Sequence, residues 1–269
     1  MKKILVPTDF SPVAANALKY AIEIAAEFRS ELYLYHVYYI DKVDYDLNFP
    51  EDEQPFKKRV ERKMKLAKLK DMETVTQKGL SVQTVVEQGN IFSLFKIKAK
   101  KHEISLIVMG SKGASGLKKV IFGSVAAIAL EIANTPVLVV PPRYSFRPLQ
   151  HIVLSVDHNE VSPGVLSPLQ KLASKFGAKV TLLNVNTSSD RNTYRKIDIY
   201  LEGVETTYRE VLLSKSINET INKFIQKEGC DLLCMIRREK GFFESFFKKS
   251  ITKAQVFSNR VPLLVLPEV

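Results

Sequence analysis

The sequence predicts an α/β protein made of two tandem copies of one unit, each an open, parallel, five-stranded sheet with helices on both faces. Three observations predict it. Short, wholly apolar runs alternate with longer stretches whose apolar residues recur at three- and four-residue spacing, the pattern of strands buried on both sides between amphipathic helices. The apolar runs of the first half return in the second at constant offsets. The 269 residues, 45% of them hydrophobic and 26% charged, are enough for two ordinary domains that each bury a core.

In chain order, residues 3–7 form the first strand. Asp9-Phe-Ser11-Pro12 follows, with Ser11 able to cap a helix and Pro12 suited to its first turn. Ala14, Ala15, Leu18, Ala21, Ile22 and Ala25 then recur at helical spacing. Residues 31–37 are the second strand. Next comes a basic helix at 57–70 whose buried stripe is expected to be Val60, Met64, Ala67 and Leu69. A strand at 81–87, a helix at 91–101, a strand at 106–109, a helix at 124–133 and a strand at 137–140 complete the first copy. Pro141-Pro142 and residues 143–148 read as the linker, dividing the chain into 1–147 and 148–269.

The repeat fixes this division. Lys3-Ile-Leu-Val-Pro-Thr-Asp9 returns as His151-Ile-Val-Leu-Ser-Val-Asp157, an offset of 148, and Leu32-Tyr-Leu-Tyr-His-Val37 returns as Val180-Thr-Leu-Leu-Asn-Val185 at the same offset. Toward the end of each copy the offset is 126. There Ser105-Leu-Ile-Val-Met109 pairs with Asp231-Leu-Leu-Cys-Met235, and Pro136-Val-Leu-Val-Val-Pro141 with Pro262-Leu-Leu-Val-Leu-Pro267. The difference of 22 (148 against 126) places a deletion between the second and third strands of the second copy. The first copy carries its basic helix there, and the second only a shorter stretch at 192–205.

Mean hydropathy is −0.05, and no apolar run approaches the roughly 18 residues of a membrane span. Three apolar residues after Lys2-Lys3 are too few for a signal-peptide core, so the expected location is the cytoplasm. Cys230 and Cys234, spaced C-x-x-x-C in an apolar run, read as buried free thiols. Net charge is +11 from 40 basic and 29 acidic residues. Such a balance suits nucleic acid, a membrane surface or an anionic small molecule, and position decides among them. Eight basic residues against the single acid Glu61 fall in 57–70. That helix reads first as a solvated face, with nucleic-acid or membrane contact, or a lid over a ligand, as secondary readings.

In parallel sheets ligands sit beyond the carboxyl ends of strands at a reversal of strand order. This selects Pro7, Thr8 and Asp9, then Val37, then the segment after Met109. That segment reads Gly110-Ser111-Lys112-Gly113-Ala114-Ser115-Gly116, and Gly123-Ser124-Val125-Ala126 then opens a helix. Glycines allow close backbone approach and positive φ, and a helix start offers unpaired N–H groups to an anion. Lys112, Lys118 and Lys119 add positive charge, so a triphosphate suits the segment. The Walker pattern is absent, and no G-x-G-x-x-G follows the first strand.

Gly110, Gly113, Gly123 and Ser124 spell G-x2-G-x9-G-[ST]. With Ile4-Leu-Val-Pro-Thr-Asp-Phe-Ser11, Leu34-Tyr-His36-Val37, Ile107-Val-Met-Gly-Ser111 and Thr135-Pro-Val-Leu-Val139, this motif makes the first copy resemble the ATP-binding members of the universal stress protein family. The whole chain resembles the tandem form. The resemblance implies a Rossmann-like, adenine nucleotide alpha hydrolase-like fold with ATP bound in the first copy and magnesium carried on its phosphates. It implies that Pro7, Thr8 and Asp9 line the adenosine end and Val37 meets the adenine. Met109 and Gly110–Gly116 would border and wrap the ribose and phosphates, with Ser124, Val125 and Ala126 holding the phosphates. Asp9 has a competing role as a helix-capping carboxylate.

The resemblance further implies pairing of the two copies through their last strands, and leaves room for a homodimer of whole chains. At the offset of 126 the second copy places Ile236, Glu239 and Lys249 where the motif needs glycine, so ATP is not expected there. Lys248, Lys249, Lys253, Arg237 and Arg238 leave a different anion open, and Phe242, Phe243, Phe246 and Phe247 read as packing residues. The expected function is an ATP-binding regulatory protein. The alternative is a slow ATP hydrolase or a phosphoryl or adenylyl transferase, for which Asp9 is the one carboxylate in the cleft segments; His36 reads as sheet packing.

Overall fold

The computed structural model describes residues 1–38, 54–112, 122–156, 161–162, 164–186, 200–238 and 261–268. Within them the first half runs β1 (Lys3–Pro7), α1 (Pro12–Phe28), β2 (Glu31–Tyr38), α2 (Gln54–Lys70), α3 (Met72–Gln77) and β3 (Val82–Gln88). Helix α4 follows as Ile91–Ser93, a π turn at Leu94–Lys98 and Ala99–Lys101, then β4 (Leu106–Gly110), α5 (Ser124–Ile132) and β5 (Val137–Val140). The second half runs β6 (His151–Val156), α6 (Ser167–Phe176), β7 (Lys179–Asn186), β8 (Thr206–Leu212), α7 (Ile217–Glu228), β9 (Leu232–Arg237) and β10 (Leu263–Pro267).

The strand order is β3-β2-β1-β4-β5-β10-β9-β6-β7-β8 in one ten-stranded sheet. Each half is parallel within itself. They join where β5 and β10 run antiparallel, Leu263 opposite Val139 and Val265 opposite Val137. Apolar side chains of these strands feed two core layers, one under α1 and α6, the other under α4, α5 and α7. Parallel strands buried on both faces explain why their runs are continuous rather than alternating.

The offsets recur in the structure. β2 and β7 start at 31 and 179, α4 and α7 at 91 and 217, and β5 and β10 at 137 and 263, offsets of 148, 126 and 126. The two capping residues also correspond: Asn90 accepts from Phe92 N and Ser216 from Glu219 N at 3.2 Å, opening α4 and α7. Ser11 caps α1 through Ala14 N at 3.1 Å, with Pro12 in the first turn. The offset is 124 for β3 and β8 (82 against 206), so the length change lies before the third strand, with a small compensating insertion after it.

One expectation is corrected. In α2, Val60 and Met64 are buried, but Leu69 is 55% exposed and so is absent from the inward stripe. The linker is a packed strap. Asn16 Nδ2 donates to the carbonyls of Pro141 and Tyr144, and Phe146 meets Tyr20 edge-on at 5.0 Å. Arg147 pairs with Asp231 at 2.8 Å, while Asp231 also accepts from the amides of Gln150 and His151. Among the described residues no helix is long and apolar enough to cross a membrane.

Candidate functional site

β1 lies between β2 and β4, so the strand order of the first half reverses there, and the carboxyl ends of β1 and β4 are the place where parallel sheets accept ligands. Pro7 is buried, and its contribution is to end the strand. The next residues form a tightly bonded loop. Thr8 N donates to Tyr35 O at 2.8 Å, Thr8 Oγ1 accepts from Phe10 N at 3.0 Å, and Asp9 Oδ1 accepts from Ser11 N at 3.0 Å.

Phe10 adopts φ 65°, a left-handed conformation that costs a non-glycine residue of order 1 kcal/mol or more. The local bonds over-determine it, and its ring lies 4.5 Å from the His36 ring. His36 Nδ1 is 2.7 Å from Thr8 O. A carbonyl only accepts, so Nδ1 carries the proton. His36 thus does more than pack the sheet, because it fixes the loop from β2. Ser11, and not Asp9, caps the helix; the exposed Asp9 closes an Asx turn.

On the other wall stands the end of β4. Met109 is 4% exposed and its side chain belongs to the core, so that only its backbone is at the strand end. Gly110 is required for close packing: a Cβ there would lie 2.7 Å from Val13 Cγ1 and 3.0 Å from Val13 O. This brings the β4 end against the first turn of α1. Neither Gly110 nor Gly123 takes positive φ, so the expected left-handed turn is not their reason.

Ser111 is fully buried, and its Oγ has no hydrogen-bond partner among the described residues. Its backbone is pinned on both sides: Ser111 N donates to Val140 O at 3.0 Å, and Gly123 N donates to Ser111 O at 2.8 Å. The second bond ties the end of β4 to the start of α5. There the N-cap Gly123 (φ −66°, ψ 163°) supplies no side-chain acceptor. Ser124 and Val125 are exposed and Ala126 is buried. The first-turn amides therefore lack the partner that Ser11 provides in α1.

Lys112 and Val37 are half-buried at the rim, Val37 against the core layer under α4 and α5. Gly113, Ala114, Ser115 and Gly116, with Lys118 and Lys119, lie outside the described residues. The structure thus places Thr8 and Asp9 after β1 and Ser111 after the adjacent strand β4, with the α5 start bonded to Ser111.

The equivalent crevice of the second half is built differently. Ile236 stands at the Gly110 position and is half-buried. Arg237, at the Ser111 position, turns away and donates to the α5 carbonyls of Leu130 at 3.3 Å and Ala133 at 2.6 Å. Arg238 pairs with Glu268 at 2.5 Å, and the other Glu268 oxygen accepts from Ser162 N at 2.6 Å. These two bonds hold the Glu268 carboxyl below its usual range against the opposing effect of burial. The arginines are thus committed internally, which corrects their reading as groups left open to another anion. Glu239, Lys248, Lys249, Lys253, Asp157 and the four phenylalanines at 242–247 lie outside the described residues.

Sequence reasoning missed the Arg237 contact and the His36–Thr8 bond. Only the folded strand order puts those partners side by side.

Comparison with known proteins identifies the family. The universal stress protein family model matches residues 1–141. Universal stress protein MJ0531 of Methanocaldococcus jannaschii is 34% identical over 145 residues, 52% of this chain and 81% of that protein. Universal stress protein YxiE of Bacillus subtilis is 31% identical over 147 residues, 51% of this chain and 97% of that protein. Over the whole length, the crystal structure of a universal stress protein from Archaeoglobus fulgidus matches with a TM-score of 0.75, covering 98% of each chain at 17% identity, a likeness of fold. With its first 141 residues matched by the family model, the chain belongs to the universal stress protein family.

Proposed function

We propose that the crevice of the first half binds an adenine nucleotide, ATP, and that the chain is a cytoplasmic stress-response regulator whose second half does not bind ATP. The observation that carries the proposal is Ser111. A buried hydroxyl without a partner costs of order 1–3 kcal/mol, and this one, unpartnered among the described residues, sits beside a helix start whose N-cap residue offers no side-chain acceptor, at the strand-order reversal. An anionic oxygen is the natural group to satisfy both.

On this reading Thr8 and Asp9 meet the adenosine, Val37 borders the adenine, and Ser111 with the amides of Ser124, Val125 and Ala126 holds phosphate oxygens. Bound there, the nucleotide supplies negatively charged phosphoryl groups and the magnesium they carry. The residues fit that group through hydroxyls and amides. In the second half, Ile236, Glu239 and Lys249 stand at the positions of Gly110, Gly113 and Gly123, which supports a non-binding role there.

Titration calorimetry with ATP on the wild type, Ser111→Ala and Gly123→Val tests the site. Wild type should bind, Ser111→Ala should weaken binding about tenfold, and Gly123→Val should abolish it by placing a branched side chain at the phosphate position. Unchanged affinity in both variants overturns the assignment. Multiple turnovers of ATP, lost in Asp9→Ala, would move the reading to a slow hydrolase.

A further inference from the structure

The basic helix α2 is fastened to the protein by one face. Val60 and Met64 are 6% and 2% exposed, and Lys68 Nζ donates to Val82 O of the edge strand β3 at 2.8 Å. At about 100° per residue, Leu66 and Leu69 lie roughly 60° apart on the opposite side. They are 53% and 55% exposed. Lys58, Arg62, Lys65 and Lys70, all exposed, surround them. The outward face is therefore a pair of leucines set in a cationic field.

We infer that this face docks on a membrane surface rich in anionic lipid headgroups, with α2 parallel to the bilayer plane and Leu66 and Leu69 at the acyl boundary. Charge complementarity selects an anionic partner, since 57–70 holds eight basic residues and one acid. The leucines select the lipid surface over nucleic acid. A phosphate backbone offers them no apolar environment, whereas the headgroup boundary does. Because Val60, Met64 and Lys68 already hold the helix on the sheet, docking requires no folding step. The inference is independent of nucleotide binding.

Co-sedimentation of the full chain with vesicles of equal parts phosphatidylcholine and phosphatidylserine tests it, with phosphatidylcholine vesicles as the reference. The wild type should bind the anionic vesicles and lose binding at high salt. Leu66→Ser with Leu69→Ser should weaken binding about tenfold, and Arg62→Gln or Lys65→Gln about fivefold each. All these positions are exposed, so thermal melts should be unchanged and report folding separately. Failure to bind anionic vesicles overturns the inference, and so does binding indifferent to the leucine substitutions. Tighter binding to duplex DNA or RNA, unaffected by removing the leucines, assigns the face to nucleic acid and also overturns it.

Discussion

Gly110→Ala separates two reasons for a glycine at the end of β4. In the structure the new Cβ points at α1, 2.7 Å from Val13 Cγ1, 3.0 Å from Val13 O and 3.1 Å from Val13 C. Ordinary contact begins near 3.4 Å, so Cγ1 must retreat by 0.7 Å (3.4 against 2.7) and the carbonyl by 0.4 Å (3.4 against 3.0). Rotating Val13 relieves the first clash. The second involves backbone, and α1 must shift with the loop that Ser11 and Asp9 hold. Overpacking of this kind costs about 1–3 kcal/mol. The expected result is a lower urea midpoint with an unchanged slope.

Val13→Ala supplies the control. Removing Cγ1 leaves only the backbone contact, so adding Gly110→Ala to Val13→Ala should cost measurably less than adding it to the wild type, a coupling of about 0.5 kcal/mol or more. Equal cost in both backgrounds refutes the contact. If Gly110→Ala leaves stability within about 0.5 kcal/mol of wild type and yet abolishes ATP binding, the Cβ faces the ligand and the packing account is wrong.

Arg237→Met should remove both contacts to the α5 carbonyls, cost about 1–3 kcal/mol, and speed amide exchange in Ser124–Ile132. Arg237→Lys should recover only part, because an ammonium lacks the planar fork; unchanged exchange in Met would sink the brace. His151, buried with Nε2 2.8 Å from Thr181 Oγ1, has its pKa lowered from 6.5 by burial and then by Lys179. The unfolded chain takes up the proton first as pH falls, so this contribution is complete above about 6.5 and declines below it. Thermal melts at pH 7.5 and 5.5 should show a smaller acid loss in His151→Gln than in wild type, and an equal loss refutes the assignment.

Periodicity and repetition made the strands legible. Apolar runs such as Leu106–Gly110 and Val137–Val140 carry strong signals because both sheet faces are buried. The repeat added what single segments lack, since the offset of 126 places α7 by reference to α4. Side-chain direction was harder to read. Leu69 fits a stripe with Val60 and Met64 by composition, yet nine residues after Val60 are about two and a half turns at 3.6 residues per turn, which carries it to the far side. At the site, the glycine pattern marked the right segment without revealing that Gly110 answers to Val13. The π turn in α4 was equally hidden, because one extra residue in a turn leaves the composition unchanged.

The antiparallel β5–β10 pair explains why the second half's substitutions reach the first. It sets the carboxyl end of β9 beside the amino end of β5, where α5 finishes. An arginine at the Ser111 position therefore meets the last carbonyls of α5, the negative end of the helix whose positive end faces the proposed phosphates. A serine at 237 could not span that distance, and an arginine at 111 would fill the first crevice. The same pairing places Leu263 opposite Val139, so the second half also covers the β5 edge next to Ser111 and leaves that apolar strand no open side. The two copies have diverged along the lines their geometry allows. One keeps a serine whose hydroxyl has no partner among the described residues, and the other spends its arginines on the helix of its neighbour and on its own carboxylate.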